Sequence, residues 1–276
     1  MGETEPEIAL PGGDVTEGVV RVGATVRRPR QPQSPYVEAY LRHLERVGFD
    51  GAPRFLGVDE RGRDVLDYIE GDVPGTPPEP WACTDEVIAG VGRLVRGLHD
   101  ASAGFAPPPE LAWFGRDAPI EVPPDLLDVV GEPELVAHCD VTPQNVVFRD
   151  GCPVALVDFD LARPTRRALD LLTTAMWWVP LQHPADRAPA HAGVDVPARL
   201  RLLLDAYGLP RAGRLELLEL ADRAWRRSWH TMRWNAEHRG GGWARMWAEG
   251  VGEIIERRRA WFAAERAALT AAAVPA

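Results

Sequence analysis

His138, Asp140 and Asn145 stand in an H-x-D-x-x-x-x-N spacing within HCDVTPQNVVFRDGCPVALVDFD, residues 138–160, and Asp158 follows thirteen residues after Asn145. Between Asn145 and Asp158 lie two short apolar runs, VVF and PVALV, separated by RDG, the pattern of a tight β-hairpin. A strand–turn–strand returns the chain on itself, so Asp158 is expected to come back beside the loop that carries Asp140 and Asn145. Two carboxylates and a carboxamide would then converge on one small volume. All are oxygen donors, as a hard divalent cation such as Mg²⁺ requires, and a carboxylate there can also orient an attacking hydroxyl.

The elements that must position these residues fall into two groups. The N-terminal part reads as strands and turns: IALPGGDVTEGVVRVGATVRRP carries glycines at 12, 13, 18 and 23, and PRFLGVDERGRDVLDYIEG offers two more strands around an ERGR turn. Between them, SPYVEAYLRHLERVGF has Val37, Tyr40, Leu41 and Leu44 at helical spacing, a stripe suited to packing on the sheet. A Pro-rich turn region, GDVPGTPPEPW, follows at 71–81. A helix is expected from about Thr84 to Ala101, with Thr84 as N-cap and Asp85 and Glu86 in its first turn. After an irregular stretch at 105–125 and the 138–160 motif, further helices are expected at about 168–178, 197–207, 214–238 and 243–269. The last carries the stripe Trp243, Met246, Trp247, Val251, Ile254, Ile255, Trp261 and Phe262, read as core. Trp177, Trp178, Trp225, Trp229 and Trp234 are expected to pack likewise, with one or two left to line an acceptor pocket.

Composition narrows the class. The chain has 276 residues, 45% hydrophobic and 26% charged, which suits two lobes around a cleft. Its net charge of −10 opposes nucleic-acid and anionic-membrane partners. No apolar stretch approaches the ~20 residues that span a bilayer, and the acidic N-terminus does not read as a signal peptide; the expected compartment is the cytoplasm. Cys83, Cys139 and Cys152 show no C-x-x-C spacing, so neither a disulfide framework nor a zinc site is indicated. All 31 basic residues are Arg, which excludes a Walker A loop and Lys Schiff-base chemistry. Motifs for serine hydrolases, zinc proteases and dinucleotide binding are absent.

The 138–160 motif, together with LVRGLHD at 94–100 and LDLL at 169–172, resembles the aminoglycoside phosphotransferase family, relatives of protein kinases. The resemblance implies an α+β, bilobal, protein-kinase-like fold with a small antiparallel-sheet N-lobe and a larger, mainly helical C-lobe, divided near residue 70 into 1–70 and 71–276. It implies ATP (or GTP) and Mg²⁺ as cofactors, Asp140 as the base that positions the acceptor hydroxyl, and Asn145 and Asp158 as Mg²⁺ ligands. His138 would support the loop, Asp170 would brace it, and Asp160 would either assist the metal site or stabilise a turn. His99 is read as a packing or capping residue. Cys139 stands where the family usually has Gly, a small-for-small exchange expected to matter little. The glycine-rich segment would cover the phosphates or form simple hairpins.

The family's phosphate-binding Lys has no counterpart here. Arg28 or Arg27, on the strand candidate ATVRRPR, would replace it, with Glu38 on the next helix as partner. Residues 66–70, including Asp67 and Ile69, lie where the family's inter-lobe connection pairs with adenine through backbone groups. The acceptor is expected to be a hydroxyl-bearing small molecule, an aminoglycoside-like antibiotic or a metabolite. Glu216, Asp222 and Glu237 would suit the former, although acids scattered on helices are ordinary. Two alternatives stay open: a non-catalytic pseudokinase or immunity-type binding protein, and a peptide Ser/Thr kinase in natural-product maturation. A monomer or weak dimer is expected.

Overall fold

In the computed structural model, residues 6–10 and 18–274 are described. Gly12 and Gly13 of the glycine-rich segment lie outside them, whereas Gly18 and Gly23 take up positive φ at 81° and 58°. The N-terminal part is an antiparallel sheet of β1 (Ile8–Ala9), β2 (Val20–Val22), β3 (Thr25–Pro29), β4 (Phe55–Val58) and β5 (Arg63–Asp67), in the order β1-β2-β3-β5-β4. α1 (Ser34–Arg46) lies between β3 and β4. A proline in its first turn supplies a preset φ, and its buried stripe of Tyr36, Val37, Tyr40, Leu41 and Leu44 joins Phe55 and Leu66 of the sheet in one core.

The connection after β5 is laced to the second half of the molecule. Asp72 and Phe148 exchange two backbone hydrogen bonds of 2.8 Å, and Arg149 Nε donates to the Glu70 carbonyl at 2.8 Å. Gly71 makes this approach possible, because a Cβ there would lie 2.4 Å from the Phe148 carbonyl oxygen and 2.5 Å from Val147 Cγ1.

The C-terminal part opens with α2 (Asp85–Ala101), capped as its sequence predicts by the Thr84 hydroxyl, which accepts from the Val87 N–H at 3.3 Å. Two small antiparallel ribbons follow: β6 (Leu135–Ala137) with β9 (Arg163–Thr165), and β7 (Val146–Arg149) with β8 (Cys152–Leu156). The expected hairpin is β7–β8. Asp150 and Gly151 at its tip have φ of 51° and 74°, the paired positive values that match a two-residue turn to strand twist. The helices are α3 (Arg167–Trp178), α4 (Val196–Tyr207), α5 (Arg211–His238), α6 (Gly241–Ala248) and α7 (Val251–Ala273).

The expected single helix over 243–269 is therefore two. Gly250, at φ 91°, breaks the run between them, and the apolar period continues across the break without a common axis. Trp178 and Trp225 are buried as expected, while Trp177 is 37% exposed. Among the described residues no helix is long and apolar enough to cross a membrane.

Gly71→Ala should destabilise the protein by about 2–3 kcal/mol, since the new methyl meets the Phe148 backbone as well as the Val147 side chain. Urea denaturation followed by tryptophan fluorescence reads this directly, and an unchanged midpoint would refute the close approach.

Candidate active site

The loop after β6 is shaped by a residue that its sequence does not mark. Cys139 has φ 61°, in the left-handed region, where a side chain costs of order 1 kcal/mol relative to glycine. The exchange of Gly for Cys is thus not neutral for the backbone, contrary to the expectation from size alone. The strained turn is held by Asp170, which is fully buried on α3. Its Oδ1 accepts the Cys139 N–H at 2.7 Å and its Oδ2 accepts from His99 Nε2 at 2.9 Å. Burial alone would raise the Asp170 carboxyl, but the bond from His99, the charges of His99 and His138 and the Cys139 amide together hold it below its ordinary value. His99 pairs in turn with the Tyr207 hydroxyl at 2.8 Å, and that hydroxyl accepts from Arg167 at 3.0 Å. His99 is more than a packing residue: it is the link that keeps the bracing carboxylate oriented.

Val157 sets the register between the loop and the returning strand. Its N–H donates to the Asn145 carbonyl at 2.9 Å, and its own carbonyl accepts from His138 Nε2 at 2.9 Å. Burial pushes the pKa of His138 down, and its ring packs on Phe159 with centroids 4.6 Å apart. Both backbone polar groups of one residue are thereby tied to both ends of the loop, and Asp158 follows immediately in a left-handed conformation, φ 60°. Asn145 Nδ2 donates to both the backbone carbonyl and Oδ2 of Asp140 at 2.9 Å. Because a carbonyl only accepts, this fixes the amide orientation and turns Asn145 Oδ1 away from Asp140.

The electrostatics follow from the crowding. Burial, then the charge of Asp158, raise Asp140 to about 7 against the hydrogen bond from Asn145. Burial and Asp160 likewise push the Asp158 carboxyl up, opposed by Arg28. Asp158 Oδ1 is buried without a hydrogen bond, although Arg28 Nη1 lies 3.6 Å away. Two oxygen acceptors, Asn145 Oδ1 and Asp158 Oδ1, are thus left with unsatisfied capacity beside a carboxyl of raised pKa, a donor set that fits a hard cation.

Of the two candidate arginines, Arg28 faces the cleft. It is buried, lies across from Asp64 on β5, and pairs with Asp160 as well as Asp158. Burial opposes its charge, but the two carboxylates more than restore it and its pKa stands above the ordinary value. Arg27, on the opposite strand face, bonds Thr25 Oγ1 at 2.5 Å and sits 3.8 Å from Asp59. Glu38 is not the partner of Arg28. It pairs with Arg30 at 3.3 Å and Arg42 at 3.1 Å, which lie nearer along the strand end and one turn along its own helix. The acids that balance Arg28 instead follow the hairpin, more than a hundred residues on, and no local pattern in the sequence signals that pairing. Asp67 turns its carboxylate to the Arg54 N–H at 2.5 Å, so its side chain is engaged structurally. With Ile69 it lines a polar cavity of about 240 Å³ that also includes Asp50, Arg54, Tyr68 and Arg149.

Residues 109–203 match the model of the phosphotransferase enzyme family. Over 218 residues, 75% of this chain and 76% of the relative, it is 39% identical to the trifolitoxin immunity protein of Rhizobium leguminosarum bv. trifolii. Its fold is similar to that of a choline/ethanolamine kinase family protein from Mesorhizobium loti, with a TM-score of 0.62 at 20% identity, covering 100% of this chain and 94% of the other. Aminoglycoside 2'-phosphotransferase-IIIa in its GDP complex gives a TM-score of 0.58 at 12% identity over 94% of this chain and 93% of that one. The bilobal α+β architecture expected from the sequence is therefore the architecture found.

Asp140→Asn removes a carboxylate that the folded chain holds protonated up to about pH 7 and the unfolded chain ionises near 4. A raised carboxyl pKa makes the folded state lose stability as pH climbs between those values. The variant should therefore gain on the wild type by about 1–2 kcal/mol between pH 5 and pH 8, discounted for water reaching the cleft. Paired urea titrations in EDTA test this; a gap independent of pH would contradict it.

Proposed function

This chain is a member of the phosphotransferase enzyme family, and on that premise we propose that it moves the γ-phosphoryl group of ATP, or of GTP, to a hydroxyl on a small molecule. The observation that supports the reading is the bond from Asn145 Nδ2 to Asp140 together with the two backbone hydrogen bonds of Val157, which tie the residue before Asp158 to Asn145 and His138. In this reading Asp140, once ionised, accepts a hydrogen bond from the acceptor hydroxyl and aims its oxygen at the phosphorus. Asn145 Oδ1 and Asp158 would hold Mg²⁺. When bound, the ion supplies neutralisation of charge on the phosphate oxygens. The protein's own contribution is positioning, since a loose phosphoryl-transfer transition state asks little covalent chemistry of it.

Arg28 takes the role of the absent Lys. Its planar fork suits two phosphate oxygens, and its present hold on Asp158 and Asp160 keeps the acidic cluster partly neutral without nucleotide. The peptide of Ile69, half-buried with neither its N–H nor its carbonyl engaged by a described residue, is available to pair with a base.

A second reading is a non-catalytic immunity-type binding protein. The likeness to the trifolitoxin immunity protein favours it, as does the guanidinium already closed on Asp158 and Asp160. Transfer of ³²P from labelled ATP in the presence of Mg²⁺ separates the two. The phosphotransferase reading expects turnover that falls by about 10³-fold in Asp140→Asn and that Asp158→Asn also suppresses. It also expects Arg28→Lys to keep more activity than Arg28→Gln. Folded protein that binds no nucleotide at millimolar ATP, in every variant, would leave the binding reading in possession.

A further inference from the structure

Arg28 marks one face of the sheet as the face of the cleft, since its guanidinium reaches Asp158 and Asp160. Val26, two residues earlier on β3, shares that face, and the register sets Arg21 of β2 and Leu66 of β5 directly across from Val26. A second arginine therefore stands on the cleft face, away from the acidic cluster and against the chain that follows β5. Its guanidinium carbon lies 3.8 Å from the centre of the Tyr68 ring, and its Nη2 donates to Glu70 Oε1 at 2.5 Å. Its Nε donates to the Gly23 carbonyl at 2.8 Å, in the turn between β2 and β3. The planar group is thus held on three sides. It touches both neighbours of Ile69, the residue whose peptide is free to pair with a base. Arg21 Nη1 has no hydrogen-bond partner among the described residues.

The two purines differ at the edge that such a group would meet. Guanine presents two acceptors side by side, O6 and N7, whereas adenine sets an N6–H donor beside N7. The end of a guanidinium, with one N–H from each Nη, matches the first edge through two parallel hydrogen bonds and sets donor against donor on the second. Little freedom is lost on binding, because Glu70, Gly23 and Tyr68 already hold the side chain. The Ile69 peptide offers one N–H and one carbonyl, which either purine can use, so it does not decide between them. Resting on the phosphotransferase reading above, we propose that the phosphoryl donor is a guanine nucleotide. Arg21 selects the base by its O6/N7 edge, and Glu70 positions the arginine.

Calorimetric titration of the full chain with GDP, IDP and ADP, each with Mg²⁺, tests this without turnover. Hypoxanthine keeps O6 and N7 and lacks only the 2-amino group of guanine. IDP should therefore bind like GDP, and both about tenfold or more tightly than ADP. In Arg21→Gln the preference should fall below about threefold, and in Arg21→Lys, which keeps the charge without the fork, it should lie between. Glu70→Gln, which loosens the arginine, should also weaken the preference. The inference fails if ADP binds as tightly as GDP or if Arg21→Gln keeps the preference. It fails equally if IDP binds as weakly as ADP, an outcome read on the wild type alone. Nucleotide binding that appears only in Arg21→Gln would make the arginine a plug over Tyr68 and overturn it too. Its failure is distinct from that of the phosphotransfer reading. Asp140-dependent turnover without a guanine preference removes only the base selection. A guanine preference without transfer of phosphate keeps the base site and removes the transfer. Wild type that binds none of the three removes both.

Discussion

Asp170 is the group on which the rest of the site depends. A carboxylate with no exposed surface is costly unless every lone pair is engaged, and here the partners are a backbone N–H and a buried histidine. The bonded peptide belongs to Cys139, whose left-handed backbone would otherwise relax toward ordinary values and swing Asp140 with it. The chain of Arg167, Tyr207, His99 and Asp170 connects α2, α3 and α4 to the loop. Helix packing thus becomes loop geometry, and the helical half of the molecule serves as a frame for a turn only a few residues long.

The acidic cluster is then a balance of opposed terms. Asp158 and Asp160 follow the hairpin that Val157 ties back to the loop of Asp140, and burial, followed by the charge of a neighbouring carboxylate, raises Asp140 and Asp158. Arg28 answers from the sheet, bridging the two halves of the molecule through a buried ion pair. Such a pair contributes little net stability after desolvation, so its value lies in fixing how the sheet meets the loop. A composition without lysine leaves this contact to an arginine. Arg is less strongly hydrated than an ammonium, keeps its charge on burial, and engages both carboxylates with one planar group.

On α5 charge is balanced over short distances. Acids on α5 are consumed by neighbouring arginines, most of them within one or two turns or on the adjoining helix. The segment 211–266 carries twelve Arg against eight acids. Charge counted along a segment and charge presented at a site differ, because ion pairing removes members of both signs unevenly.

Residue types and spacing alone determined the β7–β8 hairpin and the capped start of α2, because each rests on contacts a few residues apart, whereas the two-part architecture was implied by the resemblance that the 138–160 motif carries. They also determined that an arginine must serve wherever a lysine would. Which arginine was a matter of strand register against β5, and its carboxylate partners came from a segment 132 residues away rather than from the nearby Glu38. The left-handed turn at Cys139 and the role of His99 were equally invisible, since no local preference marks a cysteine for that conformation or a buried histidine for that partner. Local periodicity even misled at Gly250, where an apolar stripe continued across a broken helix axis. Long-range pairing of buried charges is decided by which groups packing leaves together without water, and only the folded chain contains that information.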